Sequence, residues 1–213
     1  MEINRGNTIL WNVDTQVDFI EPNGSLYVEG SEKLKPTLAN ITDFGERNKI
    51  RVINTMDWHY EDSEELSDEP DFAETFPPHC MADSKGVEFI DETTPDQPYI
   101  IDWSINLGLD NIPPVRNLII RKDKFDVFEG NPNTNRIVDI LKKRGTEVVI
   151  VYGVTADICV SFAVNGLLER GLKVVLLKDA INPLNEKSFE NLLEVWESDN
   201  NFHYLEFEEL SIT

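Results

Sequence analysis

Six short apolar segments, separated for the most part by helical patterns, limit what this chain can fold into. The segments are rich in Ile, Val and Leu and lie at 8–13, 51–55, 117–121, 147–152, 173–177 and 202–207. Strands that are apolar throughout are buried on both faces, which is typical of parallel sheets with helical connections. The pattern therefore predicts an α/β fold with a doubly wound, mostly parallel six-stranded sheet and helices on both faces.

Helical spacing of apolar residues separates most of these segments and is found at 31–48, 133–144, 158–170 and 185–198. Gly145 and Gly171 follow two of these patterns and are predicted helix stops. The polar segments 60–78 and 91–114 hold many acidic residues and prolines, and we expect them to be insertions over the sheet. A chain of 213 residues, 40% of them hydrophobic, suits one domain, which we expect to span residues 1–213.

The formal net charge of −21 limits the partners of the chain. This charge disfavours nucleic acid and anionic membrane surfaces, and it favours a neutral or cationic substrate over a polyanion. No apolar run reaches the roughly 18 residues that a membrane helix needs, and the first residues lack the pattern of a signal peptide. Two cysteines do not make a disulfide framework, so the sequence predicts a cytoplasmic protein with reduced thiols.

Polar side chains follow several predicted strands at their carboxyl ends, where open parallel sheets bind ligands. Asp14 follows the first strand, Lys122 follows the third, and Cys159 comes after the fourth, in the stretch Gly-Val-Thr-Ala-Asp-Ile-Cys-Val at 153–160. Cys159 falls in the first turn of a predicted helix, where the helix dipole favours a thiolate and lowers the pKa of a thiol. Asp14 could serve as general base or proton shuttle, and Lys122 could hold negative charge.

Each of these residues also has an ordinary structural interpretation when it is considered alone. A free cysteine is most often a packing residue, an aspartate after a strand is often a helix cap, and a lysine there is usually a surface group. Cys80 has no activating neighbour in the sequence, and we expect it to be structural, like His203 in the last strand pattern. The acidic run at 61–74 is expected to be a solvated loop, with lid or metal support as the alternative.

Taken together, the motifs resemble those of the isochorismatase-like cysteine hydrolases and, among them, the nicotinamidases. The stretches that carry the resemblance are Asp-Thr-Gln-Val-Asp-Phe at 14–19 and Lys-Asp-Lys-Phe-Asp-Val-Phe at 122–128. The cysteine stretch at 153–160 and the following Val-Val-Leu-Leu-Lys-Asp-Ala-Ile at 174–181 are also similar to the family. The resemblance covers nearly the whole chain.

This resemblance implies a catalytic triad of Asp14, Lys122 and Cys159. The Cys159 thiolate would attack an amide carbonyl, ammonia would leave, and water would hydrolyse the thioacyl enzyme. The resemblance also implies a cis peptide bond between Val154 and Thr155, with the backbone N–H groups of Thr155 and Cys159 as the oxyanion hole. The implied activity is deamidation of nicotinamide to nicotinate and ammonia, a step of NAD metabolism.

The nicotinamidase branch further implies a divalent metal held by Asp57, His59 and His79. Asp57 and His59 are two residues apart, so an extended chain places them on one side. One carboxylate and two imidazoles suit Zn, with Fe or Mn as alternatives, and leave positions for water and a pyridine nitrogen. Some relatives recruit a fourth protein ligand, and the candidates in the intervening loop are Glu64, Glu65, Asp68 and Glu74.

Phe19, Phe76 and Phe125 are candidates for an aromatic wall around the substrate, although each could instead be a core residue. A long connection carries Asp102 and Trp103, which could enter or cap the pocket. The alternatives to a nicotinamidase are a related cysteine hydrolase acting on another small amide or carbamoyl compound, and a non-catalytic binding protein of the same fold. We expect a small neutral amide as the partner and a homo-oligomeric assembly.

Overall fold

The computed structural model of the chain describes residues 1–105 and 112–213. In this range the strands are β1 (Glu2–Ile3), β2 (Thr8–Val13), β3 (Arg51–Asp57), β4 (Tyr99–Ile101), β5 (Asn117–Lys122), β6 (Val148–Val154), β7 (Lys173–Asn182), β8 (Phe202–Leu205) and β9 (Ser211–Ile212). Strands β1 and β9 form a small parallel pair. The other seven form one parallel sheet in the order β4-β5-β3-β2-β6-β7-β8.

Helices cover both faces of this sheet, as the sequence predicts. They are α1 (Val17–Ile20), α2 (Lys35–Arg47), α3 (Val127–Gly130), α4 (Asn133–Lys143), α5 (Cys159–Glu169) and α6 (Glu186–Trp196), with 3-10 turns at Ser31–Leu34 and Phe207–Glu209. Alternate residues of β2 enter different cores because side chains of a strand alternate between faces. Trp11 packs in the cluster that holds α4, α5 and α6, whereas Leu10 packs in the cluster that holds α2.

The sheet contains one strand more than the six that the apolar pattern predicts. Strand β4 lies inside the polar segment 91–114 and pairs with β5 at the edge of the sheet. Two of its three residues are exposed and only Ile101 is buried, so β4 lacks the continuous apolar character of a central strand. The segment 91–114 is therefore not simply an insertion over the sheet, because part of it extends the sheet.

The predicted helix stops are confirmed by the backbone. Gly145 follows α4 with a φ of +96°, and Gly171 follows α5 with a φ of +71°. Both values lie in the left-handed region that glycine adopts without steric cost. Among the helices of the described residues, none combines the length and the apolar character needed to cross a membrane.

The order of the strands reverses at β2, which lies between β3 and β6. The chain builds one half of the sheet outward from β2 through β3 and β5, and it returns to the other side of β2 with β6. Such a reversal leaves a crevice at the carboxyl ends of the two strands where it occurs. The parallel register places Val13 opposite Gly153 and Asp57 opposite Lys122 at this edge.

Gly166 allows α5 to pack closely against Phe128. A Cβ atom on Gly166 would lie 2.1 Å from the Phe128 ring. We expect Gly166→Ala to lower the free energy of unfolding by about 1–2 kcal/mol, because overpacking outweighs the gain of alanine in helix propensity. Urea unfolding followed by circular dichroism measures this difference. The control is Glu169→Ala, at an exposed position of the same helix, which should change the free energy of unfolding by less than about 0.5 kcal/mol. Equal stability of the two variants would contradict the close contact between Gly166 and Phe128.

Candidate active site

Asp14, Lys122 and Cys159 come together at the carboxyl edge of the sheet. Lys122 ends β5, Asp14 follows β2 directly, and Cys159 is the first residue of α5. The Lys122 Nζ atom lies 3.0 Å from Asp14 Oδ2 and 3.6 Å from Cys159 Sγ. All three side chains are buried. The fold therefore assembles, away from bulk water, the three residue types that the sequence singles out.

The position of Asp14 depends on a close approach between β2 and β6. Asp14 has a φ of +47°, and its Oδ1 atom accepts a hydrogen bond from Thr55 Oγ1 at 2.6 Å. Gly153 in β6 packs against the backbone just before Asp14, where an added Cβ would lie 1.9 Å from the Val13 carbonyl oxygen. Glycine at this position thus lets the strand that leads to Cys159 pass beside the turn that presents Asp14.

Burial and neighbouring charges shift the pKa values of Asp14 and Lys122 in opposite directions. Burial raises the pKa of Asp14, and the positive charge of Lys122 offsets only part of that effect. Burial also lowers the pKa of Lys122, but the carboxylates of Asp14 and Asp57 outweigh it and hold that pKa well above its usual range. Lys122 therefore remains a cation between two carboxyl groups.

The thiol of Cys159 differs from the expectation of a lowered pKa. Burial raises its pKa well above the usual range; Lys122 lowers it, whereas Asp14 and Asp57 raise it further. Desolvation and two neighbouring carboxylates thus outweigh the favourable position at the start of α5. The resting residue is a neutral thiol next to a carboxyl group whose pKa is also raised. Transfer of the proton from Cys159 to Asp14 would create a thiolate without changing the total charge of the site.

The turn before Cys159 exposes backbone donors. The peptide bond between Val154 and Thr155 is cis, as the family resemblance implies. The N–H groups of Ile158 and Val160 both donate to the Thr155 carbonyl at 3.1 Å. Within the described part of the chain, the N–H groups of Thr155 and Cys159 have no acceptor. They are available to an oxygen atom of a bound molecule.

A second polar group, formed by Asp57, His59 and His79, lies beside the first. Asp57 ends β3, His59 follows two residues later, and His79 belongs to the loop beyond. The Nε2 atoms of both histidines lie 3.7 Å from Asp57 Oδ2. The other carboxylate oxygen, Oδ1, accepts a hydrogen bond from Lys122 Nζ. Asp57 therefore links the lysine of the first group to the imidazoles of the second.

The nitrogens of these imidazoles fit a divalent cation. His79 Nδ1 lies 2.8 Å from the Pro77 carbonyl; because a carbonyl only accepts, Nδ1 carries the proton and Nε2 is left with a lone pair. His59 is completely buried, and neither of its ring nitrogens has a hydrogen-bond partner among the described residues. Leaving such nitrogens unpaired is costly. The potential ligand atoms of the three residues lie within 4.8 Å of one another, as a shared metal requires.

The carboxylate of Asp57 is suited to hold a cation. Burial alone would raise the pKa of Asp57, but Lys122, His59 and His79 outweigh burial and hold that pKa well below its usual range. Asp57 therefore stays ionised near neutral pH. The negative charge of the second group is thus maintained in the interior, where a counterion is favourable.

Gln16 fixes the backbone of Asp57, a role that the sequence analysis missed. Its Oε1 atom accepts from the Asp57 N–H at 2.8 Å, and its Nε2 atom donates to the Asp57 carbonyl at 2.8 Å and to the Val87 carbonyl at 2.9 Å. Gln16 is completely buried. The sequence pointed to Gln16 only through its position in the motif at 14–19. That motif does not indicate which groups the side chain contacts.

Glu65 is the one of the four candidate acidic residues whose side chain turns inward. Its Oε1 atom accepts from the Phe125 N–H at 2.8 Å, and its Oε2 atom is buried without a partner among the described residues. Burial raises the pKa of Glu65 to about 7, although the Phe125 N–H and Lys122 oppose this change. By contrast, exposed positions are occupied by Glu64, Asp68 and Glu74. Glu65 is not part of the 4.8 Å group of ligand atoms.

One narrow cavity is lined by Cys159 of the first polar group and by Asp57 and His79 of the second. Its wall includes Phe19, Phe76 and Phe125, together with His79 and Cys159. The cavity has a volume of about 20 Å³, enough for one water molecule. An aromatic amide therefore requires the wall to move. Phe76 lies just after the acidic run 61–74 and lines the cavity. Within the run itself, most acidic side chains are exposed and Glu65 alone among them is partly buried.

Four further apolar residues complete the wall of the cavity, and the sequence analysis predicted none of them. The additional apolar lining residues are Leu26, Val28, Ile158 and Leu184. Trp103 instead packs edge-on against Tyr60 at 6.2 Å, and Asp102 pairs with Arg121 at 3.7 Å. Neither of these two residues lines the cavity. The sequence analysis placed them near the substrate because it treated their segment as an insertion, whereas β4 ties that segment to the edge of the sheet.

The chain is similar to several known proteins. The nicotinamidase/pyrazinamidase of Mycobacterium tuberculosis is 28% identical over 172 residues, which cover 78% of this chain and 82% of that protein. The pyrazinamidase of Pyrococcus horikoshii, solved in complex with zinc, superimposes with a TM-score of 0.71 at 24% identity, over 94% of this chain and 99% of the other. PnC1 from L. infantum, solved in complex with nicotinate, gives a TM-score of 0.76 at 24% identity, over 100% and 99% of the two chains.

The structural similarities show a shared fold. A sequence model of the isochorismatase domain matches residues 8–199. This range includes both polar groups and six of the seven strands of the central sheet, all except β8. The chain therefore belongs to the isochorismatase family.

Proposed function

We propose that this amide-hydrolysing enzyme deamidates nicotinamide to nicotinate and ammonia. The observation that carries the proposal is that Cys159, Asp57 and His79 line one small aromatic-walled cavity. Asp14 and Lys122 lie directly behind Cys159, and His59 completes the group of Asp57 and His79. The similarity to the nicotinamidase/pyrazinamidase of M. tuberculosis supports the same substrate class. Cytoplasmic location and homo-oligomeric assembly stay predictions of the sequence.

Cys159 is the proposed nucleophile and Asp14 its proton acceptor. The Cys159 thiol would transfer its proton to Asp14, and the thiolate sulfur would form a bond to the amide carbonyl carbon. The carbonyl oxygen would then carry the negative charge. The backbone N–H groups of Thr155 and Cys159, which have no acceptor within the described residues, would stabilise that oxygen.

Asp14 and Lys122 have different proposed roles in the following steps. Protonated Asp14 would return its proton to the amide nitrogen, the carbon–nitrogen bond would break, and ammonia would leave. Asp14 would next take a proton from water, whose oxygen would attack the thioacyl carbon. The carbon–sulfur bond would then break, the carboxylic acid would leave, and Asp14 would return the proton to the Cys159 sulfur. Lys122 Nζ, 3.0 Å from Asp14 and 3.6 Å from Cys159, would stabilise the negative charge on either side of each transfer.

The second group would hold a divalent metal through Asp57, His59 and His79, most suitably Zn, with Fe or Mn as alternatives. Glu65 is not among the proposed ligands, since its carboxyl group is outside the compact set of ligand atoms. When bound, the metal supplies a Lewis-acid position that can receive a pyridine nitrogen. The rings of Phe19, Phe76 and Phe125 would enclose the substrate ring.

Substitution of the proposed nucleophile tests the reaction directly. We expect the wild-type protein to release ammonia from nicotinamide and Cys159→Ala to lose at least about 10³-fold in rate, since no other group would replace the sulfur. Cys80→Ala is the matched control because Cys80 is also buried but does not line the cavity. Ammonia release by Cys159→Ala at the wild-type rate would contradict the proposed nucleophile.

The substrate has its own test in the same assay. If the wild type, supplied with Zn, Fe or Mn, releases no ammonia from nicotinamide, the nicotinamide assignment is wrong. The same measurement with other small amides and with carbamoyl compounds would then identify the alternative class. Activity on one of these compounds that is lost in Cys159→Ala would keep the cysteine hydrolase mechanism and replace only the substrate.

The proposed metal group predicts the metal content of the purified protein. We expect about one equivalent of Zn, Fe and Mn combined in untreated wild type, and strong depletion in His79→Ala, because the remaining ligands no longer form a complete set. Elemental analysis measures both. His203→Ala is the matched control, since His203 lies in β8 outside the group. Less than about half an equivalent in the wild type would contradict the metal assignment.

Gln16 predicts a separate effect on the same group. We expect Gln16→Leu, which keeps the size of the side chain but removes three hydrogen bonds to backbone, to reduce metal affinity or activity by about 10–100-fold. Metal titration and ammonia release measure the two effects. Gln97→Leu, at an exposed position, should behave like the wild type. Unchanged metal affinity and activity in Gln16→Leu would show that Asp57 does not need this support.

A further inference from the structure

A second and larger cavity lies at the other end of the sheet. Its volume is about 510 Å³, and its lining includes Thr8 and Arg51, the first residues of β2 and β3, and Arg116, which precedes β5. Because all strands of the sheet are parallel, these amino ends lie opposite the carboxyl ends that form the active site. The strands of six to seven residues separate the two cavities by about 20 Å.

The charge of this cavity opposes the charge of the whole protein. Five basic side chains line it, those of Arg5, Lys49, Arg51, Arg116 and Arg144, and the described lining contains no Asp or Glu. The complete sequence has 19 basic and 40 acidic residues. More than a quarter of the basic residues thus lie around one cavity in a strongly acidic chain, which makes the cavity a local positive region.

Most of these charges lack a counterion. Arg116 pairs with Glu46 at 3.1 Å, and the Arg144 guanidinium donates to the Ile112 carbonyl at 3.3 Å. In the part of the chain that the structure describes, the side chains of Arg5, Lys49 and Arg51 have no ion pair or hydrogen bond. Arg51 is the least favourably placed of these cations, because it is half-buried and lies near a second cation, Arg144. Burial and the charge of Arg144 both lower the pKa of Arg51.

Helix dipoles explain only part of this arrangement. Lys49 and Arg144 follow the carboxyl ends of α2 and α4, where positive charge is favourable. Arg51 and Arg116 instead occupy the starts of strands, and Arg5 lies in the loop between β1 and β2. Strands contribute little net dipole. These three residues therefore need another reason to gather around one cavity.

We propose that this cavity binds a small molecule that carries multivalent phosphate. Guanidinium groups offer paired N–H donors that match phosphate oxygens, and four of the five cations are arginines. The volume of about 510 Å³ lies within the usual range of small-ligand sites. A bound phosphate would supply the counterion that Arg51 and Arg144 lack. Since the mutual repulsion of these cations is relieved only on binding, the anion should also stabilise the fold.

Calorimetric titration with inorganic diphosphate tests the proposal. We expect saturable binding of one diphosphate per chain with a Kd below about 1 mM at an ionic strength of roughly 0.15 M, weakening as salt is added. The double variant Arg51→Gln, Arg144→Gln should bind at least about tenfold more weakly. Arg47→Gln is the matched control, because Arg47 lies in the last turn of α2 but does not line the cavity.

Several results would overturn the proposal. Absence of saturable binding would do so, and so would equal binding by the wild type and the double variant, because diphosphate would then occupy another place such as the histidine group. Equal affinity for citrate would replace phosphate with a general anion site. If the double variant does not fold, Arg51→Lys keeps the charge and removes the paired donors; diphosphate affinity that is unchanged in this variant would likewise contradict a phosphate site.

Discussion

The site depends on one buried cation. Lys122 Nζ lies between the carboxylates of Asp14 and Asp57, and all three side chains are almost fully buried. Two carboxylates at this depth would repel each other and pay a large desolvation cost, and the ammonium compensates both. The same ion group connects β2, β3 and β5 at their carboxyl ends. Removal of the lysine charge would therefore disturb Asp14 and the imidazole group together, which makes the two parts of the site one electrostatic unit.

Much of the fold could be predicted from the pattern of each segment taken alone. The predictions that were wrong concern residues whose surroundings are formed by distant parts of the chain. The central strands and the helix ends were visible because burial on both faces gives a continuous apolar run and a left-handed helix stop favours glycine. Strand β4 was missed because its residues at the sheet edge are mostly exposed. The direction of the Cys159 pKa shift was also missed. The effect of the helix start is local, whereas burial, which is the largest cause, and the carboxylates of Asp14 and Asp57 come from the assembled fold.

The same distinction separates the predicted site residues from those that were missed. Asp14, Lys122 and Cys159 each follow a strand, so the parallel topology alone brings them to one edge. The role of Gln16 was missed, and Glu65 could not be chosen among four candidates in its loop. Both make contacts with backbone, that of Asp57 and of Phe125, and sequence spacing carries no information about such partners. The net charge of −21 likewise does not describe the local electrostatic potential. It describes the potential far from the protein, whereas the cations around the amino ends of the strands determine the potential in their own cavity.

The small volume beside Cys159 has a consequence for the choice of acyl acceptor. A space of about 20 Å³ admits one water molecule, whereas a larger molecule requires the wall to move. An acyl group on this sulfur would already occupy the room that the wall gives when it moves. The little space left would favour water over a larger nucleophile as the acyl acceptor. The geometry of the wall would separate hydrolysis from acyl transfer, and widening it at Phe76 or Phe125 would shift the partition between the two products before it changed the chemistry of the thiol.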